Sequence, residues 1–216
     1  MTLGQLVTAV RTALGDTAPL TARWSDDDLE AHIQRAVDEL STEIPRQLRT
    51  TLTTTPGSRD LDLSTLSRLI AVQAVEWPTA KYPPEYVPFS QWGVTLTINA
   101  TSAPTAADPV NVYWHAIHQV DAAASTVEPA HDQLLIAGAS GFAADQAAAQ
   151  NTGAISVAGP RSADQWRLFS RQQLQLFRGG LRRHGQRGAL RPLQLYTPAN
   201  RPTGHQTTDF GPGFLP

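Results

Sequence analysis

The apolar residues of this chain change period twice along its length, and that change most limits what it can fold into. Leu3, Leu6, Val7, Val10 and Leu14 recur at helical spacing, and Leu29, Ile33, Val37, Leu40 and Ile44 do so again. From Leu48 the spacing shortens to that of strands: LRTTLTTT is β-branched, and SRDLDL and VTLTINA alternate. After Asp121 helical character returns. A helix-period pattern does not settle as a strand, nor the reverse. The predicted class is therefore α+β: an α-helical bundle with an inserted small antiparallel β domain, followed by an extended C-terminal arm.

Local signals sharpen this. The first helix is expected at Leu3–Leu14, stopped by Gly15. Ser25 is a good N-cap for the second, with Asp28 three residues on as a capping-box partner and Trp24 placed to staple onto Leu29. Asp26, Asp27 and Asp28 sit where the helix dipole favours negative charge, which explains them without a metal. Pro45 ends this helix. The Pro56-Gly57 turn predicts a hairpin between LRTTLTTT and SRDLDL. Residues 69–77 read as a buried strand, KYPPEYVPF as a proline-rich loop, and VTLTINA (94–100) and VNVYWHAIH (110–118) as further strands. In the Ala-rich stretch 131–150, Gly138, Ser140 and Gly141 permit close packing of a neighbouring backbone. Residues 151–160 read as a loop. Ser162 caps a last helix whose apolar positions are Trp166, Phe169, Leu174, Phe177 and Leu181, with Gly179-Gly180 weakening its end. The expected organisation is 1–47 N-terminal helices, 48–120 inserted β domain, 121–185 C-terminal helices and 186–216 arm.

The arm carries Pro192, Pro198, Pro202, Pro212 and Pro216, a density that neither a helix nor a central strand tolerates. Yet Leu190, Leu193, Leu195, Tyr196, Phe210, Phe214 and Leu215 punctuate it. A solvated tail seldom keeps so many large apolar side chains. An extended arm docked on another surface would keep them, and at ~3.3 Å per residue it reaches on the order of 100 Å. Folding back over its own domain is the alternative.

The net charge of −2 hides an asymmetry: residues 1–160 hold 17 acidic and 8 basic side chains, whereas residues 161–201 hold nine arginines against Asp164. Such a dipole suits a subunit whose basic end meets an acidic surface or nucleic acid. There are no cysteines, so disulfides and thiolate metal sites are excluded. No run of about 18 apolar residues is present, so no transmembrane helix is expected, and the N-terminus is too polar for a signal peptide.

Catalytic constellations are absent. There is no P-loop and no dinucleotide fingerprint, and Gly138-Ala139-Ser140-Gly141 lacks the spacing of a nucleophile elbow. His115 and His118, three apart on a predicted strand, point to opposite faces. The six histidines read as surface or partly buried residues; no cofactor or metal is expected. Arg178, Arg182, Arg183, Arg187 and Arg191 form a cluster of the kind that contacts phosphates. A nucleic-acid-binding module using this last helix is thus the alternative to a partner-facing basic helix, although no recognition motif accompanies it.

Taken in order, WSDDDLEAHIQRAVDELSTEIP, the β insertion, PAHDQLLIAGASGFAA and WRLFSRQQLQLFRGGLRR resemble the head-to-tail adaptor (connector) proteins of tailed bacteriophages. Trp24, Ser25 and Asp26 match the Trp/Tyr-Ser-Asp element that often opens the family's second helix, and the likeness covers most of residues 1–185. The resemblance implies a structural protein and no enzyme: a dodecameric ring beneath the portal, in the virion neck, conducting viral DNA through its channel without specific binding. Assembly would occur in the host cytoplasm, with no membrane involved. The implied partners are the portal protein, tail or head-completion proteins and further copies of the chain. On this reading Leu193, Leu195, Tyr196, Phe210, Phe214 and Leu215 anchor the arm on the portal, which gains a strand from it. Arg178, Arg182, Arg183, Arg187 and Arg191 meet an acidic portal surface or a neighbouring subunit.

Overall fold

The computed structural model describes residues 1–18, 22–151 and 162–188. Helix α1 spans Leu3–Leu14 and closes on Gly15 in the left-handed region (φ 70°). Helix α2 spans Asp26–Glu43. Ser25 Oγ accepts from the Asp28 N–H at 3.1 Å, and the Asp28 carboxylate accepts from the Ser25 N–H at 3.1 Å, so the capping box forms as expected. The Ser25 hydroxyl, donating to the Asp28 carboxylate at 2.7 Å, and then the Ser25 N–H hold the Asp28 carboxyl below its ordinary range. Trp24, ahead of the cap, is buried and meets Trp166 edge-on at 5.4 Å, tying the start of α2 to the last helix.

Helix α3 spans Asp132–Gln150 and is the axis of the bundle. Its Leu135, Ala139, Phe142, Ala143, Ala144, Ala147 and Ala148 are all buried, in directions spread around the helix, which is the pattern of a helix enclosed by others. Helices α1 and α2 and the last helix, α4 (Ala163–Gly188), surround it. Small residues make this possible. A Cβ on Gly138 would lie 3.1 Å from both Ala36 Cβ of α2 and the Phe177 ring of α4. One on Gly141 would lie 2.9 Å from Leu174, and one on Gly180 would lie 2.3 Å from Leu134. Ser140 is fully buried, its hydroxyl donating to Ala137 O at 3.2 Å. Gly179-Gly180 does not end α4: the helix continues to Gly188, because Gly180 and Gly185 press against Leu134 and the Glu43 carbonyl, where tertiary packing outweighs glycine's poor propensity. Residues 186–188, given to the arm by the sequence, thus lie in α4.

Between α2 and α3 the chain forms two sheets with every pairing antiparallel. One has the order β1 (Arg46–Thr53), β7 (Pro109–Ala116), β3 (Leu69–Glu76), β4 (Tyr86–Val87); the other has β2 (Asp60–Asp62), β6 (Thr95–Ile98), β5 (Phe89–Trp92). Leu61, Leu96 and Ile98 of the smaller sheet join Val72, Val75, Val110, Val112 and Trp114 of the larger in one core. The helical core is a separate cluster.

Two expectations need correction. The local hairpin between 48–55 and 58–63 does not form: β1 pairs with β7 over eight residues and β2 pairs with β6. The Pro56-Gly57 turn is real, with Gly57 at φ 79°, but it joins strands of different sheets. An eight-rung ladder that buries Leu48 and Leu52 against the core outweighs a short hairpin with the three-residue β2. The expected loop KYPPEYVPF also contains β4 and opens β5; Pro83, Pro84 and Pro88 confine β4 to two edge residues.

The chain leaves the bundle at Ile44 and re-enters beyond β7, and His118 joins both crossings. Its N–H donates to Ser41 Oγ at 2.9 Å, and its Nε2 lies 3.0 Å from the Ile44 carbonyl. Nδ1 lies 3.0 Å from the Thr126 carbonyl and 3.2 Å from the Thr126 hydroxyl. The strand ends at Ala116, so His118 is a junction residue rather than a strand residue. His115, His118 and His131 are all buried, deeper than the surface or partly buried placement expected for the histidines.

Burial pushes the His118 imidazole below its ordinary pKa of 6.5, more than its two carbonyl partners raise it. The unfolded chain therefore takes up this proton more readily than the folded one. The sign follows: His118's contribution is whole above about pH 6.5 and is lost as pH falls below it. Asp28 and Asp62 are held below their ordinary 3.8, so their contributions persist until pH falls below that value and do not overlap. Urea midpoints are expected to drop between pH 7.5 and pH 5, and His118→Gln should flatten that drop. The glycine geometry gives a second expectation. Gly138→Val should cost about 1–3 kcal/mol by overpacking. Gly179→Ala, with nothing within 4 Å of the added Cβ, should gain up to about 1 kcal/mol in the same unfolding experiment.

Candidate assembly interface

Helix α4 carries the basic charge, and its burial sorts that charge into rows. Trp166, Ser170, Phe177 and Leu181 face inward. Arg171, Gln175, Arg178 and Arg182 are exposed and spaced by three or four residues, so they form one row. Leu168, Gln172, Leu176, Gly179 and Arg183 form a second. At 1.5 Å per residue the helix is about 39 Å long, so both rows are extended surfaces.

The first row borders α2. The Arg178 guanidinium lies 3.3 Å from the Glu39 carboxylate, an exposed pair that contributes little to stability. Arg182 lines a shallow groove with Glu39, Thr42 and Glu43. The second row borders a larger groove floored by Gln133, Ile136 and Ala137 of α3, with Ala13 of α1 on its other side. Leu176, which lines this groove, is 63% exposed, and Leu168, farther along the same row, is 59% exposed. Neither lies on the stripe that the sequence analysis assigned to the core, and that displacement was the signal by which they could have been found.

The predicted site residues divide accordingly. Arg178, Arg182 and Arg183 share one end of α4 but serve two different grooves. Gly138, Ser140 and Gly141 lie inside the bundle, at contacts within one subunit. Arg187 falls within α4. Arg191, Leu193, Leu195, Tyr196, Phe210, Phe214 and Leu215 lie outside the described residues.

The β unit adds surface that sequence reasoning missed. Trp92, 86% exposed, and Val94 flank Gly93 (φ 56°) at the β5–β6 turn, and Tyr82 is 92% exposed. A polar network crosses the larger sheet: Thr51 donates to Asn111 at 2.7 Å, and Asn111 and Tyr113 donate to Glu76 at 3.1 and 2.7 Å. Burial and the Glu76 carboxylate push the Tyr113 hydroxyl up, so it stays protonated and donates. This satisfies a buried carboxylate; it presents no nucleophile and base in sequence. Among the described residues no cluster of three or more His, Asp or Glu could hold a metal ion, and no helix is long and apolar enough to cross a membrane.

The comparisons with known proteins bear on this architecture. The family model described as SU10 adaptor protein matches residues 1–192, which covers every described element and ends four residues beyond α4. The resemblance to tailed-phage adaptors drawn from the sequence is thereby borne out. No curated protein matches the sequence. Among solved structures, a chain from the neck of an empty GTA particle, computed with C6 symmetry, aligns with 76% of this chain and 86% of its own length. Its identity is 15% and its TM-score 0.30.

Proposed function

We propose a role that starts from one established point: the chain belongs to the SU10 adaptor protein family. The role is that of a head-to-tail adaptor in the phage neck, where copies form a ring of about twelve beneath the portal and extend the DNA channel toward the tail. The ring number and the portal come from the family resemblance. What supports the reading here is α4: a helix about 39 Å long with two exposed rows, leading directly into the apolar, proline-punctuated residues 189–216. A surface of that length suits a protein partner, and an apolar extended segment suits docking as a peptide on another subunit.

The arginines favour a protein partner over nucleic acid. Arg178 and Arg182 stand beside Glu39 and Glu43, so the row is not a continuous phosphate-binding face. The excess of carboxylates over residues 1–160 would repel passing DNA and leave the channel slippery, as transit requires.

The test of the arm is a truncation. Ending the chain after Gly188 preserves α4 and its contact at Glu43. This shortened chain is expected to keep the unfolding midpoint of the full chain and to lose co-sedimentation with portal rings by at least tenfold. Undiminished co-sedimentation would remove residues 189–216 from the portal contact.

A further inference from the structure

We infer that the groove between α1 and α4 receives the outer face of α2 from a second copy of the chain. The inference rests on the ring proposed above and names the contact that would close it. Three helices surround α3, and α2 packs against both α1 and α4, whereas α1 and α4 barely meet. Among the described residues the bundle is therefore left open between α1 and α4, where a groove lies over α3 on the side away from α2, and a helix of a second copy can seat there.

The chemistry of the two faces matches. Among the described residues no carboxylate lines the groove; its polar groups are the Gln133, Gln172, Gln173 and Gln175 amides, His184 and the Arg183 guanidinium. Across the molecule, α2 presents Asp27, Glu30, Gln34 and Asp38 in one exposed row, about 16 Å long at 1.5 Å per residue. Amide and guanidinium donors would face the Asp27, Glu30 and Asp38 carboxylates, of which Asp38 also accepts from Gln34 Nε2 at 2.9 Å, and such complementarity sets partner and register. Shape agrees as well. Leu176, 63% exposed, would be covered, and Gly179, with nothing within 4 Å of an added Cβ, leaves room for a backbone to approach. Ala31, exposed within the acidic row, is the small counterpart on α2. A ridge and a groove on opposite sides of one subunit make a heterologous contact, which closes into a ring when the rotation permits.

The chain has no cysteine, so an introduced pair reports the contact directly. The full-length chain carrying Gln34→Cys and Leu176→Cys would be assembled on portal rings, oxidised and run on non-reducing gels. The expected result is a ladder of covalent multimers rising to the closed ring, while either single variant stops at a dimer. Arg183→Glu should lower ring yield at least tenfold, and adding Asp38→Arg should recover it. Intact rings without a ladder, or rings formed equally well by Arg183→Glu, would overturn the contact while leaving the ring standing. Absence of any ring on the portal would overturn the proposed function and the contact together. If Leu176→Cys in the free subunit resists a thiol reagent only while residues 189–216 are present, the groove belongs to the chain's own end, and the contact is overturned.

Discussion

The enclosure of α3 is the constraint on which the rest of this molecule depends. Nineteen residues of helix are buried on nearly every side, and that is possible only where side chains are small. Gly138 admits both Ala36 and the Phe177 ring, Gly141 admits Leu174, and Gly180 on α4 admits Leu134 in return. Any side chain at these positions would push the outer helices away and open voids that close-packed interiors do not tolerate. Among the described residues α3 has three helical neighbours, and the side between α1 and α4 is left as a groove. The groove beside α4 is thus a consequence of how the core is built.

A buried histidine helps to join the β unit to this bundle. His118 bonds backbone to Ser41 and ring to Ile44 and Thr126, so it links the outgoing and returning crossings. The core of the insertion is its own cluster. Its exposed aromatics, Trp92 and Tyr82, lie on turns and loops. The bundle and the insertion therefore present separate exposed surfaces.

Much of this was legible in the sequence, for physical reasons. Leu3–Leu14 and the Ser25–Asp28 cap depend on local signals, periodicity and capping chemistry, and these formed as read. The strand segments 69–77 and 110–118 were legible from their apolar, β-branched character. Their partners were not, since strand pairing is decided by non-local burial: Pro56-Gly57 carried a hairpin signal, yet β1 found its ladder some sixty residues away in β7. What keeps α4 helical through Gly179-Gly180 was hidden for the same reason, because the packing of Leu134 on Gly180 is invisible to propensity. The arginines of α4 were visible as a cluster. Their division between two grooves, and the exposure of Leu168 and Leu176, required knowing which face of α4 meets α3.

The central claim is that copies of this chain assemble into a ring on the portal. The mass of the full-length chain, alone and with portal rings, tests it most directly, by native mass spectrometry or light scattering. The account predicts a portal complex heavier than the portal ring by about twelve copies of the chain. A chain that leaves the portal's mass unchanged would contradict it.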